Sequence, residues 1–351
     1  MSKMAADFRS DTVTRPGAAM RAAMAAAEVG DDVYGEDVTV QALEERAADR
    51  LGQEAGLFVA SGTQSNLCAL LTHLARGDEV LSGESYHIVR YEGGGASVLG
   101  GALITPLPVD SCGGLDGADI QAAIKPADSH FARTRLLSLE NTVHGVAQPL
   151  ARLQALTDLA RQAGLACHLD GARLMNAVLE TGNEAGEFGQ LFDSVSLCLS
   201  KGLGAPAGSV LTGSKPFIAA ARRWRKMLGG GMRQSGILAA AGLYALEHHC
   251  QRLAEDHDRA SQLAAALNET GGVQAEAASN MVFATLDWQA AEGLPGWLAE
   301  RGIVISAPQK ISQTEAVLGR FRLVLHLDID GAACHRLAEE IARYPGLQKP
   351  I

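Results

Sequence analysis

The sequence predicts an α/β fold: a mostly parallel, seven-stranded sheet sandwiched by helices, with a smaller C-terminal α+β domain. Three observations predict it. Short apolar runs of strand length alternate with helical segments between residues 57 and 214, the pattern of a parallel sheet covered on both faces. Beyond about residue 270 the alternation gives way to longer strand-like runs separated by two helical segments. The chain has 351 residues, 47% of them hydrophobic, enough for a large core and a second, smaller one.

Taken in order, residues 1–16 are polar, lack a helical period and read as an arm. Pro16 then opens an Ala-rich helical segment, a position that suits proline. GDDVYGED (30–37) is a loop, and Val40, Leu43, Ala47 and Leu51 give residues 38–51 a helical face. Strands are expected at 57–61, 78–83, 102–108, 134–141, 165–170, 194–200 and 208–214, with helices at 63–75, 116–125 and 149–163 between them. A long helical region spans about 233–268. Strands at 280–287, 302–307 and 320–328, with helices at 288–301 and 331–344, form the final part. The expected division is 1–30 for the arm and first helix, 31–250 for the large domain and 251–351 for the small one.

Net charge is −10, which disfavours non-specific binding to nucleic acid or anionic membranes. No apolar run approaches the roughly 20 residues of a membrane-spanning helix, and the N-terminus has no secretory pattern. The six cysteines form no CxxC pair, so no metal site is indicated. Cys68, Cys167 and Cys198 lie in apolar runs, as small core residues do. A soluble, cytoplasmic protein is expected.

Three segments carry chemistry. In SVSLCLSKGLGAPAGSVLTGS (194–214), Lys201 stands where a buried strand gives way to a glycine-rich turn. Ligands bind at such strand exits, and a partly desolvated lysine forms imines readily. In ACHLDGARLMNA (166–177), Asp170 ends another apolar strand. A buried carboxylate there could keep a pyridinium nitrogen protonated, or Asp170 could simply cap the next helix. Arg173 follows on the first turn. In VASGTQSN (59–66), Ser61, Gly62 and Thr63 open a helix and form a site for one phosphate group. This is neither GxGxxG nor GxxxxGK[ST], so neither a dinucleotide nor a triphosphate is implied.

With these residues in place, the sequence resembles the low-specificity L-threonine aldolase family of pyridoxal-phosphate enzymes, which have the aspartate-aminotransferase (type I) fold. DFRSDTVTRP (7–16), GDDVYGED (30–37), SGTQSN (61–66), HLDGAR (168–173), SKGLGAPAG (200–208) and RLVLH (322–326) resemble its signature segments. The resemblance covers nearly the whole chain. It implies retro-aldol cleavage of L-threonine, L-allo-threonine and related β-hydroxy-α-amino acids to glycine and an aldehyde. On matching positions it implies that Lys201 binds pyridoxal 5'-phosphate covalently and Asp170 pairs with the ring nitrogen. Ser61, Gly62 and Thr63 would hold the phosphate, and His87 would stack on the ring. Ser10, Arg173 and Arg322 would gather the substrate carboxylate. Tyr34, Lys226 and Arg233 would reach the phosphate side of a neighbouring subunit's site, in a homotetramer built as a dimer of dimers. His130 matches a histidine near the substrate hydroxyl. The base for that hydroxyl is His87, His130 or a bound water.

Most of the ten histidines need no catalytic role. His73 reads as a loop or helix-surface residue, and His168 and His326 could be satisfied core histidines. RRWRK (222–226) would ordinarily be a solvated basic face, although GGGMRQSG nearby favours phosphate contact. Two other functions stay open: a β-eliminating pyridoxal-phosphate lyase resembling tryptophanase, and a non-catalytic cofactor-binding protein on the same fold.

Overall fold

Seven strands line up in one sheet in the computed structural model, which describes residues 6–313 and 316–347. They are β1 (Ala55–Val59), β2 (Asp78–Gly83), β3 (Leu103–Leu107), β4 (Arg133–Glu140), β5 (Ala166–Gly171), β6 (Ser194–Cys198) and β7 (Ser209–Gly213). Their order is β1-β7-β6-β5-β4-β2-β3. The pairs among β2 to β6 are parallel, and β7 runs antiparallel to both its neighbours. The mostly parallel seven-stranded sheet is therefore as the sequence predicts. Every residue of β2, β6 and β7 is buried, because helices cover both faces and leave no alternation of apolar and polar positions.

Residues 16–200 and 205–250 form one compact unit; residues 6–15, 201–204 and 251–347 form the other. The second has an antiparallel sheet of β8 (Val273–Ala278), β9 (Met281–Asp287), β10 (Gln309–Gln313) and β11 (Ala316–Val324), in the order β10-β11-β9-β8. Its core includes Phe8, Leu263, Leu267, Val282 and Phe321.

Several expectations need correction. Residues 6–15, expected as an arm, group with the small unit. Ala6–Asp7 pairs in parallel with Ile303–Val304, Phe8 is fully buried, and its carbonyl accepts from the Val324 N–H at 2.8 Å. The expected strand 302–307 keeps only those two residues. The helical region 233–268 is two helices, Gly236–His248 and Leu253–Asn268. β8 and β10 were not anticipated; β8 is mostly polar or small along its length, so its apolar signal is weak. A helix over Lys215–Met227 was also missed, although Ser214 caps it and a proline sits in its first turn.

Candidate active site

The site is built where β2, β4 and β5 end. Beyond β2 the chain turns at Tyr86, whose hydroxyl donates to the Gly113 carbonyl at 2.9 Å. The Tyr86 ring lies so close to Gly83 that a Cβ there would come within 2.6 Å of it. This anchored turn presents His87 at the start of the short helix His87–Arg90. Its backbone N–H donates to Glu140 Oε2, at the end of β4, at 2.7 Å.

Asp170 lies opposite Glu140 in the parallel register and is 4% exposed. Its Oδ1 accepts from the Ala172 N–H at 3.0 Å, and its Oδ2 accepts from Asn66 Nδ2 at 2.8 Å. The helix that follows begins after Arg173, without a side-chain cap, so Asp170 is not spent on capping it. Among the described residues of the large unit, no cationic side chain pairs with Asp170. A buried carboxylate with two donors and no counter-charge is costly. Its remaining lone pairs suit a cationic N–H, as a protonated pyridine ring provides.

His87 Nδ1 lies 2.8 Å from Glu92 Oε1, and Asn66 Nδ2 donates to the same oxygen at 2.8 Å. Burial pushes the Glu92 carboxyl upward, opposed by its hydrogen bond with His87, and the nearby Asp170 charge adds to the rise. Donor atoms of His87, Glu92 and Asp170 lie within 4.8 Å of one another. A cation could be shared at that spacing, but Asn66 already occupies the facing carboxylate oxygens, which suits an organic ring better than a bare metal. Sequence reasoning missed Asn66 and Glu92. Asn66 follows the polar Thr63, Gln64 and Ser65 at the start of its helix, so nothing local marks it out, and Glu92 is one glutamate a turn beyond His87.

The helix Gly62–His73 has Ser61 as its cap, with Oγ accepting from the Gln64 N–H at 3.2 Å. In an α-helix the first N–H groups have no partner inside the helix, so Gly62 and Thr63 can present theirs to an anion. Behind Gly62, the buried Ser209 hydroxyl has no hydrogen-bond partner among the described residues. Lys201 follows β6 by three residues and is half-buried, in a turn closed by the Gly204 N–H on the Lys201 carbonyl at 2.8 Å. Gly208 ends the loop with φ 99°, and a Cβ there would meet the Phe58 ring at 2.4 Å. Only glycine fits there.

The other expected residues fall elsewhere. Ser10 caps a short 3-10 turn, accepting from the Thr12 N–H and hydroxyl. Arg322 Nη2 donates to the neighbouring Arg9 carbonyl at 3.3 Å, so the small unit brings Ser10 and Arg322 together. Arg173 stands in the large unit, half-buried, three residues past Asp170. Tyr34, Lys226 and Arg233 are exposed, and Arg233 pairs with Asp31 at 2.9 Å. Within RRWRK it is Arg225 that is buried: it pairs with Asp32 at 2.7 Å and donates to the Phe58 carbonyl at 2.8 Å. That residue is structural, not part of a solvated basic face.

His130 departs most from expectation. It precedes β4, at the end opposite Glu140, and pairs with Asp128 at 2.6 Å while 84% exposed. Eight strand residues at about 3.3 Å each separate it from the cluster, so within one chain it does not join His87 and Asp170.

Residues 7–289 match the beta-eliminating lyase family. The low-specificity L-threonine aldolase of Escherichia coli (strain K12) is 47% identical over 340 residues, covering 96% of this chain and 98% of its own. The chain belongs to the low-specificity L-threonine aldolase family. Low-specificity L-threonine aldolase 1 of Arabidopsis thaliana is 42% identical over 94% of this chain and 93% of that one. The threonine aldolase of Leishmania major superposes with a TM-score of 0.83 at 21% identity, covering 96% of this chain and 99% of that one, and so shares the fold.

Proposed function

We propose that this member of the family uses pyridoxal 5'-phosphate to cleave L-threonine and L-allo-threonine, and related β-hydroxy-α-amino acids, to glycine and an aldehyde. The observation that carries the reading is Asp170: a buried carboxylate at a strand end, bound by two neutral donors and without a cation in its own unit. When bound, the cofactor would supply an electron sink for Cα as the Cα–Cβ bond breaks. Lys201 would hold it covalently and give way to the substrate amine. Gly62 and Thr63, with Ser61, would bind its phosphate; Asp170 would keep its ring nitrogen protonated; His87 would cover its ring. Ser10, Arg173 and Arg322 would hold the substrate carboxylate and thereby orient the scissile bond.

The hydroxyl proton needs a base. His87 is the favoured residue, because Glu92 holds its Nδ1 at 2.8 Å and so fixes the ring beside Asp170. His130 would enter only from another copy of the chain. Exposed Tyr34, Lys226 and Arg233 support an assembly in which they face a neighbour's phosphate, which we take to be a dimer of dimers. Among the described residues no helix is long and apolar enough to cross a membrane, and all six cysteines are free. Both features suit a reducing cytoplasm.

The family description, beta-eliminating lyase, favours a second reading: elimination to a keto acid and ammonia. Product analysis separates the two. The loaded enzyme given L-threonine should yield glycine and acetaldehyde in equal amounts. A 2-keto acid and ammonia in place of glycine would reject the aldolase reading.

A further inference from the structure

A row of buried polar groups leads away from Asp170 between the helix Gly62–His73 and strands β5 and β6. Asn66, His168 and Ser194 in it are each at most 1% exposed. Asn66 Nδ2 donates to Asp170 Oδ2 and Glu92 Oε1, each at 2.8 Å. Asn66 Oδ1 lies 3.2 Å from His168 Nε2. His168 Nδ1 lies 2.8 Å from Ser194 Oγ, which lies 2.8 Å from His73 Nε2.

The side-chain contacts fit together in one sense of donation. Asn66 Nδ2 donates to both carboxylates, so its amino group faces them and its carbonyl faces His168. That carbonyl can only accept, so the proton of His168 sits on Nε2. Burial holds His168 neutral, pushing it down to about 3, with the neighbouring His73 adding to the shift and a hydrogen bond with the Ser194 backbone opposing it. Its Nδ1 is therefore bare and takes the Ser194 hydroxyl proton. Ser194 in turn accepts from His73 Nε2–H; burial pushes His73 down to about 4, so it too is neutral. Reversing any link would aim the Asn66 carbonyl at two carboxylates.

We propose that His73, Ser194, His168 and Asn66 act as one positioning device, a one-way chain of hydrogen bonds that holds the Asn66 amino group on Asp170 and so sets how firmly Asp170 holds a cofactor's ring nitrogen. The proposal rests on the assignment of Asp170 to that nitrogen. A core histidine whose only task was to fill space would need neither this direction nor an amide shared between two carboxylates. The same amide also steadies Glu92, and through it His87.

The test uses the apo form of the full chain, with equilibrium binding of two probes. One is pyridoxal 5'-phosphate; the other is its analogue with the ring nitrogen replaced by C–H. His168→Leu removes the donor to Asn66, whereas His168→Gln keeps an amide N–H in reach of it. His168→Leu should weaken pyridoxal phosphate roughly tenfold or more, the value of a hydrogen bond to a charged group. His168→Gln should retain most of the affinity, and the nitrogen-free analogue should bind all three proteins alike. Equal loss in both variants, equal loss for both probes, or unchanged binding would each overturn the proposal. If His168→Leu does not fold, Ser194→Ala against Ser194→Thr is judged by the same criteria. A wild-type chain that binds neither probe removes the function and the proposal together; a wild type that binds both while the variants match it removes the proposal alone.

Discussion

A carboxylate taken out of water needs compensation, and Asp170 receives only part of it from the Ala172 N–H and the Asn66 amide. The proposed cofactor nitrogen completes the set. Asp170→Ala should therefore weaken pyridoxal-phosphate binding at least roughly thirtyfold, since truncating one partner of a buried charged pair costs about 2–5 kcal/mol. A fluorescence titration checks this, and unchanged affinity would take Asp170 out of the role. Asp170 and Lys201 were legible in the sequence because each places a charge at the end of an apolar run. Asn66 was not, because its partners Asp170 and His168 lie more than a hundred residues away and local patterning carries no trace of that pairing. His73, read as a loop or helix-surface residue, is half-buried against Phe217 with ring centroids 4.5 Å apart. A histidine at the end of an amphipathic helix gives no hint of which side it faces.

Among the elements, the N-terminal segment was read least well. A mostly polar run with scattered apolar residues has no period, so it read as an arm. In the fold, the short pairing of Ala6–Asp7 and the burial of Phe8 make it part of the small unit's core. Phe8→Ala should destabilise the protein by about 3–5 kcal/mol, the usual cost of deleting a fully buried phenyl group. Urea unfolding followed by tryptophan fluorescence measures it, and a loss below about 1 kcal/mol would show that the segment is only loosely held. The buried strand β2 lies where the sequence places it, because its apolar centre, Val80 and Leu81, is bounded by Asp78 and Glu79 on one side and Gly83 on the other. The partly exposed β8 and β10 were missed, since solvent on one side lets polar residues blur the alternation.

At the scale of the whole molecule, the antiparallel direction of β7 within the seven-stranded sheet is a product of chain reach. The segment joining β6 to β7 is too short for a crossover helix, which needs a dozen residues or more. So β7 turns back, and the loop places Lys201 immediately beyond a sheet end. The family was legible because its motifs are dispersed over the chain in order; the side of the molecule on which His130 sits was not, because sequence order says nothing about which end of a strand a loop occupies. The claim on which the account turns is that Lys201 carries the cofactor. Borohydride reduction of the chain loaded with pyridoxal phosphate, followed by peptide mass spectrometry, tests it directly. A single pyridoxyl label on the peptide containing Lys201 is expected; a label on another lysine, or none, would contradict that assignment.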